Sequence, residues 1–452
     1  MLNNFQKDTL LFRFLRLAFV NMASYIMVPL VGIISLAFLG HLSDISQLAG
    51  VALATILFDY LYRAMEFLRG GTTGLTAQAE GRGDREAVLL QGLRNGLIAL
   101  AIGLAILVLQ YPLREVGFAL LNATPEVKAA GYDYFNARIW AAPAVMVRFV
   151  LMGWFLGREK NGKVWLIIVV GTGADILFNY LLVVQLGLGS MGAGLAATIN
   201  SYLMILTGFI LICGEVQFQE VRAVAQKIWN KSAFKATFAL NGDIWVKNLI
   251  LISTFSLFTN FSSTMGTVFL AENALLLQII LLAMHLTNGI GFAIEALTGN
   301  LEGQGKKDQL KPILWLGGAT TLPIGLSFAV VSYLFPQSIF GLLTDHKEII
   351  EQMYIYVPWL LLVLGFGSLS FMLEGYFLGL AEGYTIRNVS LLGLAIGFAP
   401  LAIASWHFHS NHILWSALSA FMLVRMVTMV WQLPRTFQEL PETTLVFKDG
   451  IG

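Results

Sequence analysis

Charged side chains stranded in apolar stretches are the first residues that could do chemistry. The run LFDYLYRAMEFLRGG spaces Asp59, Arg63, Glu66 and Arg69 four, three and three residues apart. On a helix that spacing lines the groups, with alternating sign, along roughly one third of the surface. Two readings follow. Asp59, Arg63 and Arg69 form structural ion pairs in a self-neutralising ladder turned toward a protein interior, or Glu66 carries a proton while Arg63 and Arg69 hold it ionised. Asp175 and Asn179 stand one turn apart in GADILFNY. An acid and an amide on one helical face can hold a proton or offer oxygen ligands to sodium. Asp175, Glu66 and Asn179 are therefore the candidate ion-coupling residues. Arg148, in the apolar run AVMVRFVLMG, cannot release its proton at ordinary pH. It either neutralises a carboxylate or attracts an anionic substrate.

These groups must be positioned by helices in a bilayer. Hydrophobic residues make up 57% of the 452-residue chain and charged residues 12%, against about half and a quarter in soluble domains. The net charge of +1 and the lack of any Lys/Arg cluster leave no nucleic-acid footprint. Cys213, the single cysteine, excludes an intrachain disulfide or cysteine-built metal site and is expected to be a small core residue. No cleaved signal is expected. No GxxxxGK[ST] pattern, His-rich motif or conspicuous nucleophile marks an enzyme. No cofactor is expected beyond a proton or sodium gradient.

About 20 apolar residues cross a bilayer. On that rule the first half holds spans near 13–40, 48–77, 90–110, 133–157, 163–186 and 192–214. The second half holds them near 244–263, 269–299, 312–335, 352–380, 387–406 and 412–433. The predicted fold is all-α, with twelve transmembrane helices in two parallel six-helix bundles related by a pseudo-two-fold along the membrane normal. The domains are an N-terminal lobe 1–214, a cytoplasmic linker 215–243 and a C-terminal lobe 244–452 with a short tail. With the N-terminus inside, twenty basic residues fall on inner segments and only Arg114, Lys128 and Lys347 on outer loops. This predicts a multi-pass protein of the cell inner membrane with both termini cytoplasmic. The linker, with Lys227, Lys231 and Lys235 among apolar residues, reads as a surface amphipathic helix near anionic lipid or as a solvated connection.

The halves repeat at a fixed offset of 222 residues. Leu48–Leu53 returns at Leu270–Leu275, Gly81-Arg82-Gly83 at Gly303-Gln304-Gly305, and Gly153–Gly157 at Gly375–Gly379. Membrane proteins built of like halves commonly move them around a central site, which points to a transporter.

The segment FLRGGTTGLTAQAEG at 67–81 resembles a signature of the multidrug and toxic compound extrusion (MATE) family, in its DinF-like branch. VPLVGIISLAFLGHLSD at 28–44, GWFLG at 153–157, GSMGAGLAAT at 189–198 and NALLLQIILLAMHLTNGIGFAIEALTG at 273–299 extend the resemblance along most of the chain. The resemblance implies two bundles enclosing a V-shaped cavity, and export of amphiphilic organic compounds in exchange for protons or sodium. It also places Asn21, Ser35, Arg148, Thr198, Asn288 and Glu295 among candidate substrate-cavity residues. The family's usual coupling acid on the first helix falls at Ser35, so a proton site must have moved, most simply to Glu66 or Asp175. The family's Asn and Asp on span 5 appear in reversed order as Asp175 and Asn179. Arg148 replaces a usual Asn and is expected to reach Asp175 or Glu66, since the depths of Arg148 and Asp175 differ by only ~5 Å. His285 reads as a packing residue, and Glu374 and Arg425 as a pair or as snorkelling groups.

The expected protein is a monomeric proton-coupled exporter, with a small organic substrate and membrane lipids as its partners. Sodium coupling is the second choice. A specific organic anion or metabolite as substrate is the alternative, as is a lipid-linked flippase of the same superfamily.

Overall fold

The computed structural model describes residues 2–40, 45–121, 123–344 and 347–438, with 2–9, 28–37, 40 and 347 described through their backbone alone. The described residues form helices and turns, with no strand among them. Among the described residues, twelve helices are long and apolar enough to cross a membrane. Spans 1 to 6 are Leu10–Met27 (within a helix running Leu2–Gly40), Ile45–Gly81, Arg85–Val108, Pro125–Gly157, Asn161–Gln185 and Gly189–Cys213. Spans 7 to 12 are Lys231–Thr264, Thr267–Gly303, Lys307–Leu334, Trp359–Gly379, Gly383–Phe408 and Asn411–Thr436. Each matches one expected from hydropathy.

The 222-residue offset reappears in three dimensions. Spans 2, 3, 5 and 6 start at Ile45, Arg85, Asn161 and Gly189, and spans 8, 9, 11 and 12 start 222 residues later at Thr267, Lys307, Gly383 and Asn411. Gly83 and Gly305 both turn the chain at φ 71°, and Glu159 and Ala381 share the left-handed region at 55° and 58°, which costs a non-glycine residue energy. The helix contacts repeat as well. A Cβ on Gly153 would lie 2.5 Å from the Arg69 carbonyl oxygen, and one on Gly157 2.6 Å from that of Thr73. In the second half Gly375 meets the Gly291 carbonyl, and a Cβ on Gly379 would lie 2.5 Å from that of Glu295. The GxxxG pairs ending spans 4 and 10 thus let backbones touch, as lipid-embedded packing favours.

Two compact units result, 23–237 and a second comprising 1–22 with 238–452. This differs from the division at 214 and 244 at both ends. The first 22 residues join the second unit because Gly289 of span 8 has no side chain: a Cβ there would lie 2.7 Å from the Met22 Cα. The expected linker is not one surface helix. A short helix Phe218–Val224 is followed by a 3₁₀ turn, and a new helix starts at Lys231. The Asn230 side chain accepts from the Ala233 N–H at 3.1 Å. With that start capped and no proline after it, the helix runs on through Gly242 into span 7, taking Lys231 and Lys235 with it.

At one end of the 23–237 unit, the connecting segment is fastened by charge. Glu86 pairs with Lys227 at 2.6 Å and Arg85 with Glu220 at 3.2 Å, while Arg94 donates to the Lys227 and Ile228 carbonyls. Glu215 receives Arg158 and Lys163, each at 2.7 Å. Cys213, expected in the core, is exposed at the end of span 6, where the chain leaves the packed bundle.

The second unit carries a buried triad. Glu374 of span 10 accepts from Lys247 of span 7 and Arg425 of span 12, each at 2.5 Å. Arg425 is 1% exposed and faces the Phe371 and Phe421 rings at 5.4 and 5.5 Å, so the carboxylate and the aromatic faces offset its desolvation. Elsewhere in the unit, Asn273 exchanges hydrogen bonds with Asn411 and accepts from Trp415.

Two predictions follow. Glu374→Gln leaves two buried cations facing a neutral amide and should cost about 3–5 kcal/mol, read as a lowered thermal unfolding midpoint in detergent. A wild-type midpoint would show that the triad does not hold spans 7, 10 and 12. For Glu215, partial burial pushes the carboxyl up, but Lys163 and Arg158 outweigh it and hold the group below the usual carboxylate range. A depressed folded value stabilises above the unfolded pKa and loses that contribution as pH falls through the folded one. Glu215→Gln should therefore be the less stable protein at pH 7, by about 1 kcal/mol. The gap should close on acidification below about pH 4, as followed by thermal melts across pH.

Candidate functional site

Span 5 supplies the most enclosed acid of the 23–237 unit. Asp175 is 6% exposed and Asn179 2%. The Asn179 amide donates to the Asp175 carboxylate at 3.2 Å and to its carbonyl oxygen at 2.9 Å. Span 6 adds Asn200, whose amide donates to the other carboxylate oxygen at 3.3 Å. Two amide donors on one carboxylate stabilise its ionised form. Protonated, the same group needs an acceptor, which an amide provides by turning its oxygen inward. Directly after Asn179 the helix widens into a π segment, Tyr180–Gln185, a local irregularity often found where a helix does work.

Arg148 does not reach this acid as expected. Among the described residues no ion pair joins it to Asp175 or Glu66; its Nη1 instead donates to the Met204 sulfur at 3.3 Å. The reason lies on span 6. Asn200 and Met204 are one turn apart, and a Cβ on Gly171 of span 5 would lie within 2.8 Å of both side chains. Span 6 therefore packs into span 5 at Gly171, presenting an amide to Asp175 and a thioether to the arginine.

A second arginine accompanies Arg148. Span 4 is interrupted by a 3₁₀ turn at Ile139–Ala141, where the Ala142 N–H bonds the Ile139 carbonyl. Pro143 removes the N–H that would otherwise bond it. The Thr198 and Tyr202 hydroxyls donate to the Ala137 and Trp140 carbonyls, at 2.8 and 3.1 Å. Ten α-helical residues would leave Arg138 and Arg148 about 80° apart around the axis; three residues at the tighter 3₁₀ pitch bring them within about 20°. Both are half-buried and within electrostatic range of each other and of Tyr62. Arg138 donates to the Tyr134 hydroxyl at 2.6 Å and stands 4.7 Å from the Phe58 ring.

The ladder on span 2 is only partly realised. The helix tightens at Glu66, where the Glu66 N–H bonds the Arg63 carbonyl and the Arg69 N–H bonds that of Glu66. This divides the span into Ile45–Met65 and Phe67–Gly81. Glu66 pairs with Arg69 at 3.6 Å and accepts from Tyr25 at 3.3 Å. Asp59 and Arg63 are exposed, so the stripe does not run as one buried face. Among the described residues Asp59 makes no ion pair, contrary to the structural role expected of it.

The remaining candidates scatter. The Thr198 hydroxyl donates to the Ala137 and Gly194 carbonyls, serving helix packing rather than a cavity. Asn21 is 2% exposed and lies in the second unit, beside Gly289. Glu295 is fully buried at the crossing of spans 8 and 10, so it lines no open surface. Asn288 is half-buried and occupies the repeat position of Glu66. Ser35 falls outside the residues whose side chains are described. His285 bonds the Leu281 carbonyl at 2.6 Å, as expected of a packing residue. Sequence reasoning missed Arg138, Asn200 and Lys247, although each is a polar or charged residue inside a span and the same rule that selected Arg148 applies to all three.

The MatE family model matches residues 21–181 and 244–403, one stretch in each repeat half. DNA damage-inducible protein F of Escherichia coli K12 is 29% identical over 418 residues, 92% of this chain and 91% of its own. The probable multidrug resistance protein NorM of Thermotoga maritima is 21% identical, over 86% of this chain and 84% of its own. Among solved structures, an outward-facing multidrug resistance MATE family transporter of the MOP superfamily superimposes with a TM-score of 0.84 at 17% identity. That match covers 95% of this chain and 96% of that one. A MOP superfamily transporter from Pyrococcus furiosus, described by the reverse polarity of its binding pocket, gives 0.83 at 16% identity, with the same coverage. With both halves matched and twelve apolar spans among the described residues, the chain belongs to the MatE family of multi-pass secondary transporters and is not an enzyme.

Proposed function

We propose that the chain exports amphiphilic organic compounds in exchange for inward-moving protons, with Asp175 as the coupling carboxylate. One observation carries the reading: Asp175 is 6% exposed in an apolar span and held by amides from two helices. A buried carboxylate is costly when ionised, and its environment here can serve either protonation state. Ionised, it accepts from Asn179 and Asn200. Protonated, it donates, and the Asn200 oxygen, which has no hydrogen-bond partner among the described residues, is placed to accept once the amide turns. Proton binding therefore changes both the charge of span 5 and the hydrogen bonding of span 6. Such a change drives transport only if the proton binds the two access states with different affinity. Glu66 is the weaker candidate, because Arg69 and Tyr25 already engage it. The excess of basic residues on alternate loops supports cytoplasmic termini in a bacterial inner membrane. The protein works as a monomer among lipids.

The reading is tested in proteoliposomes carrying an imposed pH or sodium gradient. A pH gradient should drive efflux of a fluorescent amphiphile, and Asp175→Asn should slow it at least tenfold while Glu66→Gln keeps most of the rate. Wild-type rates from Asp175→Asn would remove this residue from coupling, and efflux under a sodium gradient alone would replace the proton.

A further inference from the structure

Two buried hydrogen-bond donors beside Arg138, on Tyr62 and on Arg148, lack acceptors among the described residues, and that imbalance has a direction. The Tyr62 hydroxyl and the Arg148 Nε are buried and without hydrogen-bond partners among the described residues. Tyr62 is 9% exposed and lies within electrostatic range of both arginines; its ring centroid is 5.9 Å from the Arg138 guanidinium. The remaining contacts of the two cations are weak neutralisers: the Met204 sulfur and the Phe149 ring for Arg148, and the Tyr134 hydroxyl and the Phe58 ring for Arg138.

The nearby carboxylates do not make up the difference. Glu66 is within electrostatic range of Arg148 but is engaged by Arg69 and Tyr25. Asp59 is the corresponding acid for Arg138, yet it is exposed and makes no ion pair among the described residues. Buried donors and guanidinium groups without acceptors are costly in a low-dielectric interior. A ligand that brings its own negative charge removes that cost, and one that brings a positive charge adds to it.

We infer that this site of the 23–237 unit binds an organic anion, a carboxylate or sulfonate carried on an aromatic body, with its acidic group received by Arg148, Arg138 and the Tyr62 hydroxyl. The aromatic part suits Phe149, half-buried beside Arg148, while the buried Phe58 and Tyr134 back Arg138. This rests on the reading of the chain as an exporter of organic compounds and fixes the sign of the substrate's charge. Arginine serves the role better than lysine, because its planar fork matches the two oxygens of a carboxylate or sulfonate.

The test measures equilibrium binding to the purified full chain in detergent by fluorescence anisotropy, with carboxyfluorescein as the anionic probe and rhodamine 123 as a cationic probe of similar shape. Wild-type protein should bind the anion at least tenfold more tightly. Arg148→Gln and Arg138→Gln should each weaken anion binding about tenfold or more, and Arg148→Lys should retain part of it. Tighter binding of the cation by wild-type protein, or Gln variants within twofold of wild type for the anion, would overturn the inference. If a Gln variant does not fold, the wild-type preference and the Lys variant still decide. Because no gradient is imposed, anion binding without export in proteoliposomes would sink the transport reading alone. Gradient-driven export of the cation without anion binding would sink this one alone.

Discussion

A charge carried into an apolar span must meet its opposite, and much of this structure follows from how each unit meets that demand. In the second unit a single carboxylate, Glu374, touches both Lys247 and Arg425. Three helices are thereby tied at one point, and a polar cluster becomes a structural joint. In the 23–237 unit the carboxylates are elsewhere. Glu66 is engaged at the tightened turn of span 2, Asp175 by amides, and Asp59 is exposed. Arg138 and Arg148 are left with aromatic faces, a phenol and a thioether. Similar chemistry thus joins helices in one unit and, among the described residues, leaves two arginines of the other without an ion pair.

The repeat makes that contrast sharper. The glycine contacts between spans 2 and 4 recur between spans 8 and 10 at the same offset, so the helical frame is shared by both halves. The charges are not. Lys247, Glu374 and Arg425 map onto Tyr25, Met152 and Leu203, while Arg138, Arg148 and Asp175 map onto Leu360, Ser370 and Gly397. Each half has its charged cluster where the other is neutral. Backbone packing through GxxxG depends only on small residues at four positions, which leaves the other faces of those helices free to diverge in chemistry.

That division also explains what could be read from the sequence. Span number, the repeat and the family resemblance are one-dimensional patterns of apolar runs and glycines, and all were legible. The pairings were not, because they depend on how helices are rotated against one another. Arg148 and Asp175 were expected at similar depth, but depth ignores span 6, whose Met204 accepts from Arg148 and whose Asn200 donates to Asp175. The ladder on span 2 assumed an unbroken helix, which the turn at Glu66 interrupts. Thr198 was a candidate for the substrate cavity, yet its hydroxyl binds the Ala137 carbonyl just before the 3₁₀ turn in span 4. Arg138 escaped notice because it ends the polar stretch YDYFNAR, where the hydropathy of the span is still rising.

The proposed proton site and anion site share span 6 and so must answer to each other. The two are reciprocal: whatever factor a proton on Asp175 imposes on anion affinity, a bound anion imposes on proton affinity. The exchange proposed above requires that factor to disfavour joint occupancy. Span 6 is where the two meet: Asn200 donates to Asp175, and one turn away Met204 accepts from Arg148, both packed at Gly171 of span 5. A proton on Asp175 changes what Asn200 must offer, and an anion on Arg148 competes with the Met204 contact, so under the proposed exchange both ligands act on the same turn of one helix.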